Sequence, residues 1–147
     1  MLFGKRKRYV KRVLIIEDEP LTAFDNEVMI QDAGFEVVAT HDDYEEAVNA
    51  LDREQIDLIL SDVRLRGDKT GIELAEEAKR RGIPLLFVTG HPPDNAHELC
   101  VGCLTKPYNE RTLRAALDAV DQHLAGKTAK APKGLALYPF GTRDAES

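Results

Sequence analysis

Four short stretches of the chain hold residues whose types can do chemistry together: Glu17-Asp18-Glu19, Asp62, Thr89 and Lys106-Pro107. Packed carboxylates repel one another unless a cation or a proton is supplied. At neutral pH a hard divalent cation does this, and magnesium takes one or two carboxylates together with waters and phosphate oxygens. A lysine beside it offers a point charge to one phosphate oxygen, and a threonine hydroxyl can donate to another. A carboxylate nucleophile, magnesium, a lysine and a hydroxyl are the parts needed for phosphoryl transfer to an aspartate. Taken singly, each stretch has a plainer role as an acidic helix start, a cap, a turn or a loop. Their joint placement at successive strand ends carries the reading.

The elements that must position them follow from periodicity. Val10–Ile16 is a β-branched run that stops at Glu17-Asp18. Pro20 suits the first turn of a helix, with Leu21, Phe24 and Val28 on one face and Gly34 as a stop. Phe35–Thr40 reads as a second strand, and Asp42 or Asp43 caps a helix through Tyr44, Ala47, Val48 and Leu51. Ile56–Ser61 is a buried strand ending at Asp62, and a polar loop with Gly67 and Gly71 leads into a helix that ends near Gly82. Ile83–Val88 ends at Thr89. Two prolines then leave room for one or two helical turns at about Asp94–Leu99. Val101–Leu104 is a short fifth strand, and Asn109 caps a last helix buried through Leu113, Ala116, Leu117, Val120 and Leu124. Five strands alternating with helices predict an α/β fold: a doubly wound, five-stranded parallel sheet covered on both faces, with a short or frayed fourth helix. In such folds working residues gather at the carboxyl ends of the strands.

Composition bounds the class. With 147 residues, 43% hydrophobic and 31% charged, the chain suits one ordinary domain and neither a disordered tail nor a membrane protein. No apolar run approaches the ~20 residues that span a bilayer, and two cysteines make no disulfide scaffold. The expected setting is cytoplasmic. The net charge is −6, yet Lys5, Arg6, Lys7, Arg8, Lys11 and Arg12 crowd the N-terminus, so the body is more acidic than the total. An acidic body argues against direct nucleic-acid binding. The expected organisation is a basic arm over 1–9, a folded unit over 10–125 and a flexible tail over 126–147 holding a small apolar island, Leu135–Phe140.

The stretches VLIIEDEP at 13–20, LILSDVRL at 58–65, LLFVTGH at 85–91 and LTKPY at 104–108 resemble the receiver domain of two-component response regulators. The resemblance implies the flavodoxin-like strand order 2-1-3-4-5. It implies Asp62 as phosphoacceptor, with Thr89 and Lys106 completing the phosphoryl site. It implies Mg2+ (or Mn2+) held by Glu17, Asp18, Asp62 and the backbone carbonyl of Arg64, and a cis proline at Pro107. Arg64 and His91 stand where the family tunes hydrolysis. The implied partner is a sensor histidine kinase or a phosphotransfer protein. The implied role is that of a phosphoacceptor signalling protein rather than an enzyme, acting through protein–protein contact or as a phosphate sink. A phosphorylation-independent pseudo-receiver and an aspartyl-nucleophile phosphatase are the alternatives. The phosphatase class wants Asp-x-Asp where this chain has Glu17-Asp18-Glu19.

Three features depart from the usual pattern. Cys103 stands three residues before the lysine, where receivers usually carry a switch Tyr or Phe. The loop after Asp62 lacks the usual proline and is one residue longer. The fourth helix is expected to be short. The run Phe87-Val88-Thr89-Gly90 followed by His91, the missing switch aromatic and Lys106-Pro107-Tyr108 resemble an atypical subgroup, often stand-alone receivers in bacterial stress and light-sensing pathways. Cys100-Val101-Gly102-Cys103 has CxxC spacing with His91 and His97 upstream, but leads into a strand. Buried packing is therefore expected for both cysteines rather than zinc or redox chemistry.

Overall fold

The computed structural model describes residues 8–140, so most of the basic arm lies outside the described residues. The chain alternates β1 (Arg12–Ile16), α1 (Pro20–Asp32), β2 (Glu36–His41), α2 (Tyr44–Arg53), β3 (Leu58–Ser61), α3 (Gly71–Arg80), β4 (Leu85–Thr89), α4 (Ala96–Leu99), β5 (Gly102–Thr105), α5 (Glu110–Leu124) and β6 (Leu135–Leu137). The sheet order is β2-β1-β3-β4-β5-β6, parallel from β2 through β5. The expected doubly wound architecture and its five-strand order are therefore present. The difference is β6, which pairs antiparallel with β5 and makes the sheet six-stranded. The segment expected as a flexible tail supplies this strand because its Leu135 has a place in the core, only 9% exposed.

Alternation along the strands divides the core. Val13, Ile15, Leu58, Leu60, Leu86, Val88 and Leu104 face α1 and α5, packing with Ile30, Leu113, Leu117 and Val120. Leu14, Ile16, Ile59, Leu85, Phe87 and Cys103 face the other way, against residues of α2, α3 and α4. Period-two side chains on strands buried on both faces give this two-sided core. Truncating a fully buried anchor such as Phe87 to Ala would cost about 3–5 kcal/mol.

The helix starts carry their caps. Asp43 accepts from the amide of Glu46 at 2.9 Å, and Asn109 accepts from Thr112 at 2.8 Å. Thr70 and Glu73 form a reciprocal capping box on α3. Helix α1 turns differently from its sequence pattern. Leu21, Phe24 and Val28 face solvent, 74%, 61% and 40% exposed, while Ala23, Asn26 and Ile30 are buried. The inward face carries Asn26 because the Tyr108 hydroxyl reaches over and donates to its Oδ1 at 2.9 Å. As expected, α4 is a single turn of four residues.

Candidate phosphoryl and metal site

The backbone ladder runs on past the strand ends and fixes the chemical residues in register. The amide of Glu17 donates to the His41 carbonyl at 2.9 Å, that of Asp62 to Ile16 at 3.0 Å, and that of Lys106 to Thr89 at 2.9 Å. Glu17, Asp62 and Lys106 thus sit one step beyond β1, β3 and β5 on one sheet edge. The acidic triplet divides its labour. Glu19 caps α1 by accepting from the Thr22 amide at 3.2 Å, leaving Glu17 and Asp18 for the site.

One carboxylate oxygen each from Glu17, Asp18 and Asp62 falls within 4.8 Å of the others. Lys106 Nζ donates to Asp62 Oδ2 at 3.0 Å and stands 3.6 Å from Glu17 Oε1. The other Asp62 oxygen accepts from the Arg64 amide at 3.2 Å, so the loop after β3 closes onto its first carboxylate. Glu17 is 3% exposed, and its Oε1 has no hydrogen-bond partner. Burial raises the Glu17 carboxyl above its ordinary 4.5, with the charges of Asp62 and Asp18 adding to this and the Glu19 amide and Lys106 opposing it. Burial alone would pull the Lys106 ammonium down. The Asp62 hydrogen bond and the nearby Glu17 charge outweigh it and hold the value above 10.5.

A buried carboxylate with an oxygen that makes no hydrogen bond and has only an ammonium 3.6 Å away, clustered with two further carboxylates, is an environment that a hard divalent cation satisfies. The donor set is all oxygen, which suits magnesium or manganese and not zinc. Among the described residues neither carboxylate group able to hold a metal includes Cys100 or Cys103. Both thiols are buried, and Cys100 Sγ lies 3.3 Å from the Ala96 carbonyl and 3.2 Å from the Gly102 carbonyl.

Thr89 stands on the same edge at the end of β4, 7% exposed, but its hydroxyl is engaged elsewhere. Its Oγ1 accepts from the His91 amide at 3.1 Å and lies 3.4 Å from the His91 carbonyl. The site's walls include two further features. At Gly71 a Cβ would overlap the backbone carbonyl of Asp62, so only glycine lets α3 start directly behind the acidic loop. Its amide donates to the Val63 carbonyl at 2.7 Å. Arg66 grips Asp42 through Nε at 2.9 Å and Nη2 at 3.0 Å, tying the loop after β3 to the loop after β2. The glycine was visible in the sequence, whereas the clamp joins two loops that only the sheet order brings together.

The family model for the response regulator receiver domain matches residues 13–118, which include every residue of this edge. The chain belongs to the response regulator receiver family. Receiver relatives agree with it along most of its length. The phosphate regulon transcriptional regulatory protein PhoB of Escherichia coli is 33% identical over an alignment of 146 positions that covers 90% of this chain. The chain spans 62% of PhoB's own length. Among solved structures, the chemotaxis response regulator CheY4 of Vibrio cholerae superposes with a TM-score of 0.67 at 27% identity, covering 76% of this chain and 98% of that one. The PhyR receiver domain of Erythrobacter litoralis gives 0.69 at 26% identity, covering 84% and 96%. As in any receiver, the domain's place is in two-component signalling. Among the described residues no helix is long and apolar enough to cross a membrane.

Proposed function

We propose that this receiver accepts a phosphoryl group on Asp62 from the phosphohistidine of a sensor kinase or phosphotransfer protein and signals through protein–protein contact. The observation that carries the reading is the 3.0 Å contact between Lys106 Nζ and Asp62 Oδ2 beside a buried Glu17 oxygen that has no hydrogen-bond partner. A carboxylate oxygen of Asp62 attacks phosphorus, the phosphorus–nitrogen bond breaks, and its electron pair leaves with the imidazole. The product is an acyl phosphate. Lys106 moves its charge from the carboxylate to a phosphoryl oxygen at little positional cost, because its amide is pinned to β4. Thr89 supplies a hydroxyl once it exchanges the His91 backbone for the phosphoryl group. Magnesium, when held by Glu17, Asp18, Asp62 and the Arg64 carbonyl, supplies neutralisation of the phosphoryl charge. Leu21, Phe24 and Val28 make an apolar stripe on α1, which begins just after Asp18, and a phosphodonor protein is the fitting occupant.

The test is incubation with acetyl phosphate, with Mg2+ or with EDTA, followed by intact-mass detection. A single phosphoryl adduct that requires the cation and is absent from Asp62→Asn is the expected result. An adduct of equal extent in Asp62→Asn would overturn the assignment.

A further inference from the structure

The sheet carries a strand that the phosphoryl site does not use. β6 covers the outer edge of β5, with Gly102, Cys103 and Leu104 opposite Leu137, Ala136 and Leu135. Two further backbone bonds bracket it: Thr105 donates to the Gly134 carbonyl at 2.9 Å, and Tyr138 donates to Val101 at 2.8 Å. Gly102 is cut away to receive it, since a Cβ there would run into the Ala136 carbonyl. The segment also plugs both faces of the sheet. Leu135, Leu137 and Phe140 join the core on the α5 side, and Tyr138 joins the opposite core.

Tyr138 is the best-tied part of this segment. Its side chain packs against the core cluster that contains Cys103 of β5. Its ring meets His97 of α4 edge-on, with centroids 6.4 Å apart and planes at 72°. Its carbonyl lies 2.7 Å from His123 Nε2 of α5. One residue thus touches α4, β5 and α5, and the aromatic ring absent from position 103 is delivered beside it from the tail.

The seat is coupled to the phosphoryl site through β5. Thr105, whose amide holds Gly134, is followed directly by Lys106, whose ammonium holds Asp62. Lys106 is also pinned to Thr89. A phosphoryl group that draws Lys106 and Thr89 toward itself pulls on the end of β5 where β6 is anchored. A three-residue edge strand on a ten-residue connection (125–134) is the element of the sheet most easily opened. An opened β5 edge presents unpaired backbone donors and acceptors, the requirement for strand addition.

We propose that the β5 edge is a strand-addition site, occupied in cis by residues 135–138 as a detachable strap, and that phosphorylation of Asp62 opens it to an extended segment of a partner protein. The partner segment carries the strap's own pattern: a leucine-type residue, a small one, a second leucine-type residue and an aromatic. This inference rests on Asp62 being the phosphoacceptor.

The full chain tests it, loaded with Mg2+ and beryllium fluoride as the phosphoryl mimic, with acetyl phosphate in a parallel sample checked by intact mass. Amide exchange over 134–138 and at Thr105 is expected to quicken at least tenfold on loading and to stay at its resting rate in Asp62→Asn. A labelled synthetic peptide of residues 132–140 is expected to bind the loaded chain at least tenfold more tightly than the resting one. In Tyr138→Ala the strap is expected to exchange fast, and the peptide to bind, without loading. Unchanged exchange over 134–138 in a chain that carries the phosphoryl adduct overturns the strap while leaving the phosphoacceptor reading standing. Quickened exchange with no gain in peptide binding overturns the strand-addition site. Absence of any adduct overturns both readings. If Tyr138→Ala fails to fold, the wild-type comparison alone decides.

Discussion

Lys106 Nζ lies 3.0 Å from Asp62 Oδ2 and 3.6 Å from Glu17 Oε1, so one half-buried ammonium serves two carboxylates that arrive on different strands. It is the one cation in contact with the acidic cluster among the described residues. Removing it leaves the phosphoryl charge without a preorganised partner. Lys106→Ala is expected to slow phosphorylation by acetyl phosphate roughly 100-fold. The time course of the intact-mass adduct measures this, and a rate within threefold of wild type would contradict it.

The buried Glu17 carboxylate opposes folding when no divalent cation is bound. Burial, with the neighbouring Asp62 and Asp18 charges, raises the Glu17 carboxyl, so its charged form is disfavoured in the folded state. A carboxyl whose folded value lies above its unfolded one makes the fold gain stability as pH falls through that range. At neutral pH the penalty is present in full. In metal-free buffer Glu17→Gln is therefore expected to melt a few degrees above wild type. Added Mg2+ should raise the melting temperature of the wild type and leave that of Glu17→Gln nearly unmoved.

Gly71 abuts the acidic loop from behind. A methyl group there meets the Asp62 carbonyl and crowds Val63, and both contacts are backbone that cannot step aside. Gly71→Ala is expected to lose about 1–3 kcal/mol in urea unfolding. It should also lower the phosphorylation rate, because the loop that carries Asp62 must shift. A phosphorylation rate for Gly71→Ala equal to that of the wild type would contradict the packing argument.

Tyr108 ties α1 to the site's lysine loop through its hydroxyl on Asn26. Burial pushes its phenol up to about 12, with the Asn26 bond opposing and the Glu17 and Asp62 charges adding. Above pH 10 the unfolded phenol ionises while the folded one holds its proton, so this group's contribution to stability is lost as pH rises from 10 toward about 12. Tyr108→Phe is expected to cost about 1 kcal/mol at pH 7. Its melting temperature should fall less steeply than that of the wild type at alkaline pH, and parallel curves would contradict this.

The exposed stripe on α1 separates docking from chemistry. Phe24→Asp is expected to slow transfer from a phosphorylated donor protein at least tenfold, while acetyl phosphate labels it at the wild-type rate. Equal slowing with both donors would place Phe24 in the chemistry or in the fold instead.

Much of this was legible before any coordinates, for a physical reason. Strands buried on both faces read as continuous apolar runs, and their ends are marked by the abrupt polarity of Glu17, Asp62 and Thr89. Asn109 was readable as a cap because it immediately precedes an amphipathic run. The orientation of α1 was not readable. Its most apolar stripe faces solvent, and what turns Asn26 inward is a hydroxyl 82 residues away. The apolar island Leu135–Phe140 was legible, but its pairing with β5 was not, because lysines, glycines and prolines surround it and that composition reads as flexible. The clamp of Arg66 on Asp42 spans 24 residues and depends on two loops meeting at one edge. Thr89 was placed correctly on the edge, but no sequence feature indicates that its hydroxyl is turned to His91.

Trapping the acyl phosphate where it forms tests Asp62 as the acceptor without an intermediary. Borohydride reduces an aspartyl phosphate to homoserine, which peptide mass spectrometry locates in the sequence. After treatment with Mg2+ and acetyl phosphate, homoserine is expected at position 62 and nowhere else. Homoserine at position 18, or a stable adduct on a histidine with residue 62 intact, would contradict it.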